Sequence, residues 1–238
     1  MVVGGFSVTP GEIPWALALR RNGMHVGTAT LLATPGGSEL LSRTVLITAH
    51  QASTLSPAGT EVDTATNIIL PEADAVRIPV ERFVTHPGFD PVSLRDDIAV
   101  VHLRTGLPGG IQLPTPSIAP LAGTTARVAG WGALGEDGPS PNVLQQVDLT
   151  VLTDAEAVDA YGDDFGDGML AAGDPGGGKG TWEGDDGSPL TYRSADGNEY
   201  LAGISSWRRG CGRADRPDVF TRVSHYLGFI ETNRAPSS

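Results

Sequence analysis

The sequence predicts an all-β protein, a sandwich or barrel of short strands with few helices. Three observations carry that reading. Apolar or alternating runs rich in β-branched residues recur along all 238 residues. Clusters of Gly, Pro, Asp and Asn punctuate them, as at Thr34–Ser38, Gly106–Gly110 and Gly135–Asn142. The 32 Gly and 18 Pro are spread rather than concentrated, which suits many tight turns better than disorder.

The strand-like runs are Trp15–Arg20, Thr28–Ala33, Thr44–Thr48 and Ile98–Leu103 in the first half. Ala126–Trp131, Leu144–Leu152, Tyr200–Ser206 and Val219–Val223 follow in the second. Between them Leu107–Pro120, rich in Pro and Gly, reads as the link between two halves. Two segments read as helices. Asp154–Tyr161 has Thr153 or Asp154 as N-cap and Gly162 as a stop. Ser224–Asn233 closes the chain with Tyr226, Leu227 and Ile230 at helical spacing.

Composition narrows function by exclusion. A net charge of −12 would repel a phosphate backbone, so nucleic acid is not an expected partner. No apolar run approaches the roughly 18 residues of a membrane span. The acidic run Asp159, Asp163, Asp164 and Asp167 reads as a solvated loop, and His25, His86, His102 and His225 show no metal-ligand spacing. No metal or cofactor is expected. Trp15, Trp131 and Trp182 read as packing residues. A single cysteine, Cys211, cannot form an intrachain disulfide and reads as a lone buried thiol. The missing disulfides and the start at Met1-Val2 give the expectation of a cytoplasmic protein, the alternative being a secreted one whose leader Met1 replaces.

Acyl transfer needs a base held against a nucleophile, a group that orients the base, and donors for the oxyanion. The chain offers the pieces in one of the known triad orders. Thr48-Ala49-His50 ends an apolar strand, Asp97-Ile98-Ala99 opens another, and Gly184-Asp185-Asp186-Gly187-Ser188-Pro189 is a glycine-rich turn before a third. Val2-Val3-Gly4-Gly5, Ala129-Gly130-Trp131-Gly132, Leu170-Ala171-Ala172-Gly173, Ile204-Ser205-Ser206-Trp207 and Pro217-Asp218-Val219-Phe220-Thr221 complete the set. In this order, over nearly the whole chain, these segments resemble the trypsin/chymotrypsin family.

The resemblance implies two six-stranded antiparallel β-barrels and a C-terminal helix in a single trypsin-like domain. The N-terminal barrel is expected over about 15–106, the linker over 107–120, the second barrel over 121–223 and the helix over 224–234. It implies His50 as general base, Asp97 as its orienting carboxylate, and an oxyanion hole at Gly184 and Asp186. Gly180, Ser206, Trp207, Arg208 and Asp218 would form the specificity pocket, and a freed Val2 amine would pair with Asp185. Gly180 falls where trypsins carry their specificity-determining Asp, and Asp218 replaces a common glycine on the facing strand. Arg208 stands where a glycine normally leaves the entrance open, in position to cover it or to pair with Asp218 or Asp186. Gln51 replaces a cysteine beside the histidine, and Trp182 stands where Cys211 would find its mate.

The main departure is Asp186, where the family's Gly-Asp-Ser-Gly-Gly-Pro places its nucleophilic serine. A carboxylate there lacks the activated hydroxyl, brings negative charge to the oxyanion site and holds His50 protonated. Ser188 is the only alternative nucleophile in the turn, and would need a two-residue shift against Pro189. Three functions stay open: a binding or regulatory protein that no longer cuts peptides; a non-proteolytic enzyme using His50, Asp97 and Asp186 for acid–base chemistry on a small molecule, by cyclisation or hydrolysis; and a serine endopeptidase in an inactive Ser-to-Asp form. The expected partner is a peptide, protein or small molecule in the cleft.

Overall fold

The computed structural model describes residues 3–35, 41–64, 76–133 and 141–236. Its strands are β1 (Phe6–Ser7), β2 (Ala16–Arg21), β3 (Met24–Leu31), β4 (Ser42–Ile47), β5 (Thr60–Thr64), β6 (Val76–Thr85) and β7 (Ala99–Leu107), then β8 (Thr125–Gly130), β9 (Gln145–Val151), β10 (Met169–Gly173), β11 (Pro189–Arg193), β12 (Glu199–Trp207) and β13 (Asp218–Arg222). The helices are α1 (Ala49–Thr54), α2 (Asp154–Tyr161) and α3 (Leu227–Thr232). Strands β2-β3-β4-β7-β6-β5 close one antiparallel barrel. Strands β9-β10-β13-β12-β11-β8 form the second, closed by the β8–β9 pairing, and β1 adds to β9 at its edge. The all-β, two-barrel architecture with a short C-terminal helix is as the sequence predicts.

Apolar inward faces explain why each barrel closes. Leu17, Leu19, Val45, Val101 and Leu103 are fully buried inside the first, and Val128, Leu149, Leu190 and Phe220 inside the second. A third cluster lies along the seam: Leu32, Leu46, Ile98 and Val100 from the first half meet Leu201, Ile204 and Val223 from the second. At about 25 cal/mol per Å² of apolar area removed from water, that seam holds the barrels together without a disulfide. Every segment that carries the site ends or turns beside it.

The differences from the sequence reading have local causes. Strand β5 is short and polar, and β6 carries Pro79, so neither gives an apolar run. Only Ile78 and Val80 of β6 are fully buried, and Pro79 faces outward opposite Glu61. Helix α1 is a short turn started by a capping box: Thr48 Oγ1 accepts from the Gln51 N–H, and the Gln51 side chain accepts from the Thr48 N–H. At the C-terminus the helix starts later than the spacing predicts. Val223–His225 is a 3-10 turn and Tyr226, at φ −105°, breaks the run before α3. Its hydroxyl is instead engaged with the Asp96 carboxylate at 2.9 Å.

Helix α2 has the bounds its sequence predicts and a complete capping box, with the Glu156 N–H on Thr153 Oγ1 at 3.1 Å and the Thr153 N–H on Glu156 Oε2 at 2.8 Å. Thr153→Ala should cost about 1 kcal/mol, lowering the melting temperature by roughly 2–4 °C. An unchanged melting temperature would show that the cap adds nothing here.

Candidate active site

Three chain segments bring the site together at the seam. Strand β4 delivers Thr48, which starts α1 and so places His50 in its first turn. Residues 96–98 lead into β7 with Asp97 buried at their centre, 1 % exposed. The turn between Trp182 and β11 carries Asp185 and Asp186.

Asp97 is bonded from both halves of the molecule. Its Oδ1 accepts from the His50 N–H at 2.8 Å and its Oδ2 lies 2.8 Å from His50 Nδ1. Ser206 Oγ donates to Oδ2 at 2.6 Å, and Thr221 Oγ1 donates to the Asp97 carbonyl at 2.7 Å. The family resemblance makes Ser206 a pocket residue. Its place at the end of β12 also makes it a second donor to Asp97, a role its strand-end motif did not reveal.

The turn at 184–187 is held from within. Gly184 and Gly187 adopt φ +90° and +79°, the left-handed region that favours glycine. The Asp185 carboxylate is fully buried and accepts from the N–H groups of Gly132 and Trp182 at 2.8 and 2.9 Å. Burial pushes its pKa up, and nearby positive charge and the two N–H donors work against that. The pairing of Val2 with Asp185 lies outside the described residues. Val3, next to it, is docked on Gly180, its N–H on the Gly180 carbonyl at 2.7 Å. Ser188 is fully buried, with its Oγ so close behind Gly130 that a Cβ on that glycine would come within 2.4 Å of it. Its hydroxyl is buried with no hydrogen-bond partner among the described residues, and Ser188 does not line the cleft.

Asp186 faces His50. Its Oδ2 is 3.6 Å from His50 Nε2, and its Oδ1 accepts two bonds from Arg208, from Nη1 at 3.2 Å and Nη2 at 3.1 Å. The Arg208 side chain is only 11 % exposed, so it lies over the cleft rather than in solvent. Of the pairings open to Arg208 in the sequence, the structure shows the one with Asp186. Burial alone would lower the pKa of His50, but hydrogen bonding to Asp186 and Asp97 and their negative charges outweigh it and raise it to about 9. Burial opposes ionisation of Asp186, yet His50 and Arg208 bring its pKa below the usual carboxylate range. At neutral pH the site is therefore an imidazolium between two carboxylates, with a guanidinium closing the far side.

Asp218 begins β13 and is buried, its carboxylate accepting from the Thr181 N–H at 2.5 Å. A Cβ placed on Gly180 would lie 2.9 Å from Asp218 Oδ2. The acidic group thus reaches from the facing wall into the space a side chain at 180 would take. Burial pushes its pKa up to about 7, against the pull of the Thr181 N–H and the Arg208 charge. Trp207 packs edge-on against Tyr161 at 4.8 Å and forms one side of a cleft of about 410 Å³, with His50, Leu94, Trp182, Glu183 and Arg208 around it. Leu94 and Glu183 carry no motif and were not singled out in the sequence.

Comparison with known proteins gives a consistent picture. The family model described as Trypsin matches residues 2–230. The chain is 34% identical to Trypsin-1 of Astacus astacus, covering 98% of this chain and 99% of that protein. It is 32% identical to Serine protease 56 of Homo sapiens over 100% of this chain but 39% of that protein. It is also 32% identical to Transmembrane protease serine 9 of Rattus norvegicus, over 96% of this chain and 22% of that protein. These matches correct the expectation of a cytoplasmic protein: they are trypsin-like proteases, one named for the membrane, and none of these three is named as cytoplasmic. The lone cysteine misled because the barrels and their seam close on apolar burial, which operates in any compartment.

Proposed function

Because this chain belongs to the trypsin family, we propose that it is a member that does not hydrolyse peptides and uses the retained cleft to bind a peptide, protein or small molecule. One observation carries the reading: Asp186 places a carboxylate between His50 and Arg208 where the family's motif has serine. A carboxylate in that position cannot form an acyl-serine, and it holds the base protonated. His50, Asp97, Gly184 and Asp186 then define a site whose geometry is kept and whose nucleophile is exchanged. Arg208, Asp218, Gly180, Ser206 and Trp207 give the pocket its charge and shape. A freed Val2 amine pairing with Asp185 is part of the same reading.

A second reading is favoured by the full hydrogen-bond set on Asp97, which a pure binding cleft does not require. In it, imidazolium and carboxylate move protons on a small molecule. The test of the main reading is direct. The purified protein should leave arginine and lysine esters and amides uncut, and a serine-directed fluorophosphonate should add no mass to it. Hydrolysis that this reagent abolishes would overturn the reading. Hydrolysis that the reagent leaves intact and His50→Ala removes would transfer the case to the second.

A further inference from the structure

The turn that carries Asp186 is tied to the helix that carries His50 by one side chain, and its surroundings are cut to fit it. Gln51 is buried, 6 % exposed, immediately after His50. Its Nε2 donates to the Asp186 carbonyl at 2.9 Å and lies 3.4 Å from the Thr28 carbonyl. Its Oε1 accepts from the Thr48 N–H and the Thr48 hydroxyl, each at 3.0 Å. The Asp186 carbonyl takes a second bond from the Thr28 N–H at 3.0 Å. Room for the carboxamide exists because two neighbours lack side chains. A Cβ on Gly27 would lie 2.3 Å from Gln51 Nε2, and one on Gly187 would lie 2.7 Å from Gln51 Oε1. Positions 27, 51 and 187, far apart in sequence, form one socket.

We propose that Gln51 is a positioning residue that sets the separation between His50 and the side chain at 186, acting as an uncharged brace across the seam. A buried carboxamide with both ends satisfied is directional, whereas an apolar filler of the same volume is not. Gln51 stands where the resembling motif has its cysteine, so here the local link depends on hydrogen bonds. The inference rests on the geometry of the site and stands whether or not the cleft cuts peptides.

The charged groups that face the His50 ring are Asp97 and Asp186, with Arg208 behind Asp186, and the uncharged Thr48 hydroxyl lies 3.4 Å from Nε2. The Gln51 carboxamide makes no bond to Asp97, whose carboxylate is held by Ser206 and the His50 N–H. Loosening the turn is therefore felt by His50 through Asp186. The test is an NMR titration of His50 in Gln51→Met, which keeps the volume and removes the bonds. The midpoint should fall by about one pH unit from its parent value, as the opposite charge draws away. A variant that melts lower but keeps the parent midpoint would reduce Gln51 to a filler and overturn the proposal. Should Gln51→Met not fold, the parent protein decides. The Gln51 side-chain amide protons should exchange at least about 10-fold more slowly than those of exposed Gln112, and equal rates would overturn it.

Discussion

Asp186→Ser should create esterase activity where the parent has none. The substitution gives His50 a hydroxyl to deprotonate, removes one of the two carboxylates that hold the ring protonated, and clears negative charge from the oxyanion site. General-base assistance of a positioned nucleophile contributes roughly 10²–10⁴-fold, so activated esters should turn over at least about 10²-fold faster than with the parent. Amides should lag, because they need more accurate positioning and a protonated leaving group. The gain should be incomplete. With Asp186 gone, the Arg208 guanidinium loses its carboxylate partner, still narrows the entrance and now opposes protonation of His50. Asp186→Ser with Arg208→Gly should therefore exceed Asp186→Ser alone, and adding His50→Ala should erase both gains. If Asp218 accepts a substrate cation in the space left by Gly180, basic side chains should be preferred. An Asp186→Ser protein that is folded by circular dichroism and inert to an activated ester would show that the site needs more than its nucleophile restored.

Stability should fall as pH rises from mildly acid to alkaline. The pKa of His50 is raised to about 9 in the folded protein, above its ordinary value of 6.5. A raised base contributes stability that is complete below pH 6.5 and lost as pH climbs through about 9. The contribution is about 3 kcal/mol. Asp218 acts in the same direction for a different reason. Its pKa rises from 3.8 to about 7, so folding holds on to a proton that the unfolded chain releases, and stability declines between those values. Denaturant titrations at pH 5 and pH 9.5 should show the folded state losing at least about 3 kcal/mol between them. Below pH 7 buried His25, its pKa lowered to about 4 by burial, works the other way and adds stability as pH rises towards 6.5, so Asp218→Asn should remove the fall there and leave the upper limb, which depends on His50. A stability that is flat or rising from pH 5 to 9.5 would refute the electrostatic account of the site.

Much of the fold was legible because its strands are apolar and their spacers are Gly- and Pro-rich. The runs at Thr44–Thr48 and Ala126–Trp131 differ from β4 and β8 by one or two residues at each end. What escaped was polar or short. Strand β5 reads TEVDT, β1 spans two residues, and α1 is a six-residue turn whose only signal is the Thr48-to-Gln51 spacing. At the site, His50, Asp97 and Asp186 stood out because each lies in a dense local motif. Gln51 could be noticed only as a cysteine that was absent, since its partners at 28 and 186 are distant in sequence and reveal themselves only on folding. The position of Asp218 was legible for a related reason: Gly180 leaves a gap, and a buried acid on the facing strand is a group that can fill it.

The bonds on Asp97 also bear on how the chain reaches its native state. The carboxylate is held by His50 from the first barrel and by Ser206 from the second, and its carbonyl by Thr221. Neither barrel on its own can assemble this cluster. During folding each half can close around its own core, yet the site appears only when the halves dock and Leu32, Val100 and Ile204 leave water together. A chain stalled before docking would display that apolar face to other stalled chains, a route to aggregation rather than to a partly competent site. The full cluster, with Ser206 and Asp186 added to the His50–Asp97 pair, is thus coupled to docking of the halves, and only a proton that His50 keeps above pH 6.5, towards about 9, reports the folded molecule.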